Sequence, residues 1–366
     1  MTKLRDICRF QSGGTPSRGT PAYFNGNVPW ITTVALNGDV IDGNQAIEWI
    51  TDEAIAKSAA KIVPPHSVMV GTRVGIGKVA INSVPMSTSQ DIISLIGIDE
   101  NKWDKKFICH LITANKEHLT SQARGATIKG IKIEAIADLV LPEISLKEQA
   151  RISEVIGKVD ALMHMHQQMA MNLEQLIKSR FIELFGDCDL THPQESWVTI
   201  KEIGSVVGGA TPKTDHDEYW GGSYRWITPA ELDADSGYIY DSVRKLTKAG
   251  VESCSLQEMP VGTVILSSRA PIGKVAIAGN TFYCNQGFKN IICKEGIKPR
   301  YLYTVLLLNV EYLNSLGRGA TFKEISKGIV ESIRIPVPSM ELQEQFAAFV
   351  EQTDKSKLCG KMEVAA

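Results

Sequence analysis

The chain is 366 residues long, a length that at about 150 residues per domain predicts two to three domains. Its 43% hydrophobic and 22% charged residues are an ordinary globular composition, and 39 Lys+Arg against 41 Asp+Glu leave a net charge of −2. That balance excludes a strongly basic chain, and with it the simplest argument for a nucleic-acid partner. Residues 1–10 lack the apolar core of a signal peptide and no run approaches about 18 apolar residues, so a soluble, cytoplasmic protein without membrane association is expected. Cys8, Cys109, Cys188, Cys254, Cys284, Cys293 and Cys359 are scattered without a CxxC pair, which predicts free thiols and no metal site.

In chain order, residues 1–146 are rich in Gly, Pro, Thr and β-branched residues, with short apolar stretches such as Ser67–Val70. They read as short strands and turns with a few helices. From Lys147 to Phe185 there is no proline and one glycine, Gly157, among good helix formers. Ile152, Val155, Val159, Leu162, His166, Met169, Leu173 and Leu176 alternate by three and four, the seam of a coiled-coil helix. Such a rod spans about 58 Å, and Gly186 ends it in the C′ position. His164 and His166 lie about 200° apart around this helix, too far to chelate one metal, so His166 reads as a polar register residue. Residues 188–340 return to the composition of 1–146. Leu342, Phe346 and Phe349 then open a second helical seam that turns polar by Lys357, with no heptad in 358–366. This predicts a second rod less than half as long as the first. The expected organisation is a β-rich domain over 1–146, a helical spacer over 147–187, a second β-rich domain over 188–340, and a shortened helix and tail over 341–366.

The two β-rich domains are copies. Thr15-Pro16 recurs as Thr211-Pro212 and Trp30-Ile31-Thr32 as Trp226-Ile227-Thr228, both 196 residues on. Val70 to Ile81 aligns with Leu266 to Ile277 at the same offset, with 7 of 12 positions identical, among them Arg73/Arg269 and Gly77-Lys78/Gly273-Lys274. Arg124-Gly125-Ala126-Thr127 recurs as Arg318-Gly319-Ala320-Thr321 at 194, and Pro142 and Glu148-Gln149 pair with Pro338 and Glu344-Gln345 at 196. Blocks in constant order at a near-constant offset define an internal duplication.

The duplication also changes how the charge reads. Ala54 to Gln90 holds no acid but contains Lys57, Lys61, Arg73 and Lys78, and Met259 to Lys294 is likewise acid-free with Arg269, Lys274, Lys289 and Lys294. His118 to Ile133 adds Arg124, Lys129 and Lys132 without an acid. Carboxylates oppose a phosphate-facing surface, so basic windows repeated around one Arg…Gly-Lys element fit such a surface better than two ordinary solvated faces. No catalytic constellation accompanies them. Gly71 to Lys78 fails as a P-loop, because Ile76 stands where glycine is needed and Val79 where Ser or Thr would reach Mg²⁺. Val63-Pro64-Pro65-His66 lacks the polar first residue of the amino-methyltransferase motif, and no GxSxG, HExxH or GxGxxG occurs.

Gly13-Gly14-Thr15-Pro16, Tyr23-Phe24-Asn25-Gly26, Pro29-Trp30-Ile31, Arg73…Ile76-Gly77-Lys78, Arg124 to Thr127, Leu141-Pro142…Glu148-Gln149 and Phe181…Leu184-Phe185-Gly186-Asp187 carry a resemblance, and most recur in the second copy. In order and doubling, over about residues 1–357, the chain resembles the specificity subunit of type I restriction–modification enzymes. The resemblance implies an α+β architecture: two tandem target recognition domains separated by long helices that form an antiparallel coiled coil, with a pseudo-twofold internal repeat. It implies a non-catalytic chain that recognises a bipartite, interrupted duplex target and docks two modification subunits, joined by restriction/translocase subunits. S-adenosylmethionine, ATP and Mg would serve those partners, with no cofactor on this chain. Phosphate contacts are then expected from Arg73, Lys78, Arg269 and Lys274, next from Arg124, Lys129, Arg318 and Lys323, and less from Ser17, Arg18 and Lys213. Trp30 and Trp226 each begin an apolar run and are expected in the cores.

The family's second helical region normally runs past the position of Lys357, so the short match here would leave the seam of Ile152, Val155, Val159, Leu162, Met169, Leu173 and Leu176 without a partner in the chain. An exposed stripe of this kind invites homodimerisation. The competing expectation is a coiled-coil scaffold protein that does not bind DNA, which the near-neutral charge fits.

Overall fold

The computed structural model describes residues 1–365 except 39, 126–128, 233–236, 255, 270 and 320–322, and for 357–365 it describes the backbone only. Ala126, Thr127, Ala320 and Thr321 of the repeated block therefore lie outside the described residues, as does the Cys359 side chain. The chain divides into two compact units, Met1–Leu162 and Met163–Ala366.

In the first unit a sheet forms in the order Arg9–Ser12, Ile92–Ile96, Val68–Gly71, Val79–Asn82, Val40–Ile41. Its pairings are antiparallel except the last, where Val40–Ile41 runs parallel to Val79–Asn82. A second sheet is ordered Glu48–Ile50, Phe24–Ile31, Met86–Thr88, Ile62–Val63. The apolar runs of the central strands follow from burial on both faces. Val68, Val70, Val79, Ile81, Ile93 and Leu95 pack with Ile108 and Ile112 of the helix Lys105–Ala114. Their neighbours Met69, Ala80 and Ile92 point the other way, against Ile31 and Met86 of the second sheet. That is the period-2 alternation of a pleated strand.

The second unit repeats this plan. Gly204–Val207, Asn290–Cys293, Val264–Leu266, Val275–Ala278 and Tyr238–Ile239 form the sheet in the same order, again with a parallel edge strand. Val264, Leu266, Val275 and Ile277 pack with Tyr301, Leu302 and Val305 of the helix Pro299–Leu308, while Ile265 and Ala276 face the other way. The second sheet of this unit has three strands, Arg244–Leu246, Trp220–Ile227 and Tyr283–Cys284, and in both units the long strand of that sheet carries a register shift near its start, between Phe24 and Val28 and between Trp220 and Tyr224. The ends of each copy also meet alike, Lys3 bridging Val140 in the first and Thr199 pairing with Arg334 in the second.

One expected alignment changes. Gln149, buried, donates from Nε2 to the Lys102 and Ile144 carbonyls and accepts at Oε1 from the Asp104 amide. Gln343, also buried, donates to the Gly296 and Pro338 carbonyls and accepts from the Lys298 amide. Gln149 thus corresponds to Gln343, and the offset stays at 194 instead of returning to the 196 that pairs it with Gln345. The sequence words matched Glu-Gln to Glu-Gln; the structure selects the glutamine that satisfies three otherwise orphaned backbone groups.

The central helix runs Leu146–Phe185 and the C-terminal helix Met340–Ala365. The second rod was expected to be less than half the first, and this is corrected: 26 residues against 40. Loss of the heptad ended the seam without ending the helix, because Leu358, Lys361, Met362, Glu363 and Ala365 are good helix formers with no proline among them. Within the second unit the two helices run antiparallel. Phe181 lies 5.3 Å from Phe346 ring to ring, and Met171 and Glu174 line one cavity with Val350 and Asp354. The packed face is Ile177, Phe181, Leu184 and Phe185, and Phe346, Phe349 and Val350 meet it. Of the expected seam, Leu173 is half-buried, as are Ile152, His166 and Leu342, whereas Leu176 is 49% exposed. At 3.6 residues per turn a straight helix drifts about 20° per heptad, so the buried stripe advances by one position, from 176 to 177. Val155, Val159, Leu162 and Met169 are also exposed, at 42 to 55%.

Candidate nucleic-acid interface

In both copies the Arg…Gly-Lys element is the tip of the hairpin between the two central strands. The Gly77 amide donates to the Gly71 carbonyl at 3.0 Å and the Gly273 amide to the Ser267 carbonyl at 3.1 Å, closing the same loop. Gly77 and Gly273 adopt φ of 76° and 88°, left-handed values that favour glycine. Just before each arginine the strand pairs on both sides. Thr72 donates to the Asp91 carbonyl and accepts from the Ile131 amide, both at 2.8 Å; Ser268 donates to the Gly287 carbonyl at 2.7 Å and accepts from the Ile325 amide at 3.0 Å. Arg73 and Arg269 therefore leave the backbone at equivalent points, each between two flanking segments.

One of those segments is the basic repeat. Arg124 and Gly130 exchange backbone hydrogen bonds of 2.9 and 3.0 Å, and Arg318 and Glu324 do the same at 3.0 Å. Arg73, Arg124 and Lys132 line a cavity of about 880 Å³ with Gln122, Gly130 and Glu134. Arg124, Lys129, Lys132 and Lys78 are exposed, as are Arg318 and Lys323 in the second copy. Lys274 differs from its counterpart Lys78. Its ammonium donates to the Pro229 and Leu232 carbonyls at 3.1 Å each, so it braces the loop from inside.

The acid-free windows do not stay acid-free once folded. Asp91 comes within 3.6 Å of Arg73, and Glu324 within 2.9 Å of Arg269 and 3.1 Å of Lys289. Burial alone would raise the Glu324 carboxyl; hydrogen bonds from Arg269 and Lys289 outweigh it and hold the group below the usual carboxylate range.

Ser17 and Lys213 are exposed in the loops after each Thr-Pro. Arg18 grips both carboxylate oxygens of Glu48, and its guanidinium lies 5.0 Å from the Phe24 ring centre and 5.6 Å from that of Trp30. Trp30 and Trp226 are buried, and their indole N–H groups donate to Gly14 and Ala210 carbonyls at 3.0 Å, as core residues. The sequence reading missed Arg244. Exposed, it stacks 3.5 Å over Trp220 and 5.5 Å from Trp226, the counterparts of Phe24 and Trp30. No repeat signal marks it, because the corresponding residue of the first copy is Glu48.

Among the described residues no helix is long and apolar enough to cross a membrane. The family model described as the type I restriction modification DNA specificity domain matches residues 1–175 and again 195–360. The MjaIX specificity subunit of Methanocaldococcus jannaschii is 42% identical over 185 residues, 49% of this chain and 43% of that protein. The EcoR124I/EcoR124II specificity subunit of Escherichia coli is 30% identical over 166 residues, 43% of this chain and 40% of its own. Each of these matches thus spans less than half of the relative. The crystal structure of a type I restriction–modification S subunit from M. genitalium aligns with a TM-score of 0.60 at 16% identity, covering 100% of this chain and 91% of that one. A second structure, from work on complex assembly and conformational transition of the type I system, aligns at 0.54 and 17% identity, covering 100% of this chain and 92% of that one. The matched domain occurs twice and the fold agrees over the full length, so the chain belongs to the specificity-subunit family of type I restriction–modification systems.

Proposed function

We propose that this chain is the non-catalytic DNA-reading subunit of such an enzyme. Each copy reads one half of an interrupted duplex target, and the two helices supply the spacer and the docking surfaces for two modification subunits, with restriction/translocase subunits completing the assembly. S-adenosylmethionine, ATP and Mg act on those partners. The observation that supports the reading best is the hairpin tip, which presents an arginine at the same backbone point in both copies beside a second exposed arginine, Arg124 or Arg318. Arg73, Lys78, Arg124, Lys129, Lys132, Arg269, Arg318 and Lys323 then face phosphates, which fix register, while base edges fall to polar residues of the loops. Lys274 supports the loop instead.

The half-exposed apolar stripe at Val155, Val159, Leu162 and Met169 favours a protein partner on the central helix, and by itself would equally serve a scaffold that never meets DNA. Two measurements separate these readings. Mapping methylated bases in host DNA with the gene present and deleted should reveal a two-part motif that vanishes on deletion. Binding of the purified chain with its copurifying subunits to duplex DNA should fall steeply with salt, and Arg73→Ala and Arg269→Ala should each reduce the magnitude of the log–log salt slope by about 1. An unchanged methylation pattern, together with salt-independent binding, would leave the scaffold.

A further inference from the structure

The two copies hold their shared arginine with carboxylates taken from opposite sides. In the first, Arg73 pairs with Asp91, and the position on its other flank is Gly130. In the second, Arg269 pairs with Glu324 on that other flank, and the place of Asp91 is taken by Gly287. The backbone around the two arginines is the same, with Thr72 and Ser268 bonded to both flanks, so the acid has changed segment while the ion pair has been kept. Glycine at the vacated positions fits this exchange. A Cβ on Gly130 would sit 2.8 Å from Arg73 Cγ, and one on Gly287 would sit 3.0 Å from Asn285 Oδ1.

We propose that Asp91 and Glu324 are equivalent positioning residues, each orienting its copy's hairpin arginine toward the DNA backbone. The proposal rests on the DNA-reading function above. A guanidinium has five N–H donors, and the carboxylate engages only part of that set, leaving the rest directed outward. An arginine held in advance loses less rotamer freedom when it meets a phosphate. Glu324 also holds Lys289, 14% exposed, against the same site, so the second copy orders two cations with one acid.

The sign of the effect is the test. If these carboxylates act only through charge, Asp91→Asn and Glu324→Gln remove a negative charge near the duplex, and binding should tighten with a steeper salt dependence. If they position the arginine, each substitution weakens binding of the full chain to a short mixed-sequence duplex by about threefold, the scale of a half-exposed ion pair. Keeping the acid then separates positioning from general damage. Glu324→Asp and Asp91→Glu, which keep an acid on the same flank, should retain more of the binding than Glu324→Gln and Asp91→Asn. Tighter binding by Asp91→Asn and Glu324→Gln, or an equal loss whether or not the acid is kept, overturns the proposal. Arg73→Ala and Arg269→Ala are the control: if neither weakens duplex binding, the DNA-reading function of this face fails, whatever the carboxylates do.

Discussion

Phe181→Ala offers a direct check on how the helices of the second unit pack. Phe181 is fully buried, and its ring lies 4.9 Å from Phe185, 5.3 Å from Phe346 and 5.7 Å from Tyr301. Truncating a buried phenylalanine costs about 3–5 kcal/mol, and aromatic pairing places this site at the upper end of that range. In a unit of this size about 2–4 °C of Tm is lost per kcal/mol, so a fall on the order of 10 °C is expected. Leu176→Ala, five residues earlier on the same helix but 49% exposed, should change stability by under about 0.5 kcal/mol. Urea unfolding followed by tryptophan fluorescence measures both, with Trp197 in the same cluster as Phe181 acting as a local reporter. A loss below about 1 kcal/mol for Phe181→Ala, or a larger one for Leu176→Ala, would refute the packed face and return the buried stripe to the heptad seam.

Gln343→Ala removes three hydrogen bonds, leaving the Lys298 amide and the Gly296 and Pro338 carbonyls without their partner; it should cost about 2–3 kcal/mol, and Gln149→Ala should cost the first unit a similar amount, whereas Gln345→Ala, on the exposed side, should be near neutral by the same denaturant titration. Burial pushes the Cys8, Cys109, Cys284 and Cys293 thiols up to about 12 from an ordinary 9.0. Their contribution to stability is complete below pH 9 and is lost as pH rises toward 12, because only the unfolded chain releases these protons in that window. Melting temperature measured against pH under reducing conditions should therefore decline above 9, and Cys109→Ala should flatten that limb; a limb of unchanged slope would count against these thiols.

Much of the architecture was legible along the chain because it depends on local spacing. The duplicated words marked two equivalent domains, and short apolar stretches such as Ser67–Val70 marked short strands. The helix Leu146–Phe185 followed from a run of good helix formers, with one glycine and no proline, that carries apolar residues at alternating spacings of three and four. What went astray depended on contacts between distant segments. The choice of Gln343 over Gln345, the step of the buried stripe from Leu176 to Ile177, and the placement of Arg244 over Trp220 are each settled by a neighbour that sequence spacing does not name.

The sequence by itself determined that this chain carries one α+β domain twice, in tandem with two helical segments, and that each copy centres a basic window on one arginine. Only the tertiary structure decided how bare that arginine is. An acid-free window describes neighbours along the chain, whereas charge acts through space: strand pairing at Thr72 and Ser268 draws in Asp91 from one flank and Glu324 from the other. The net charge of −2 is a sum over the chain and does not say where charges meet: Arg73 and Arg269 stay about half exposed while each keeps one carboxylate beside it.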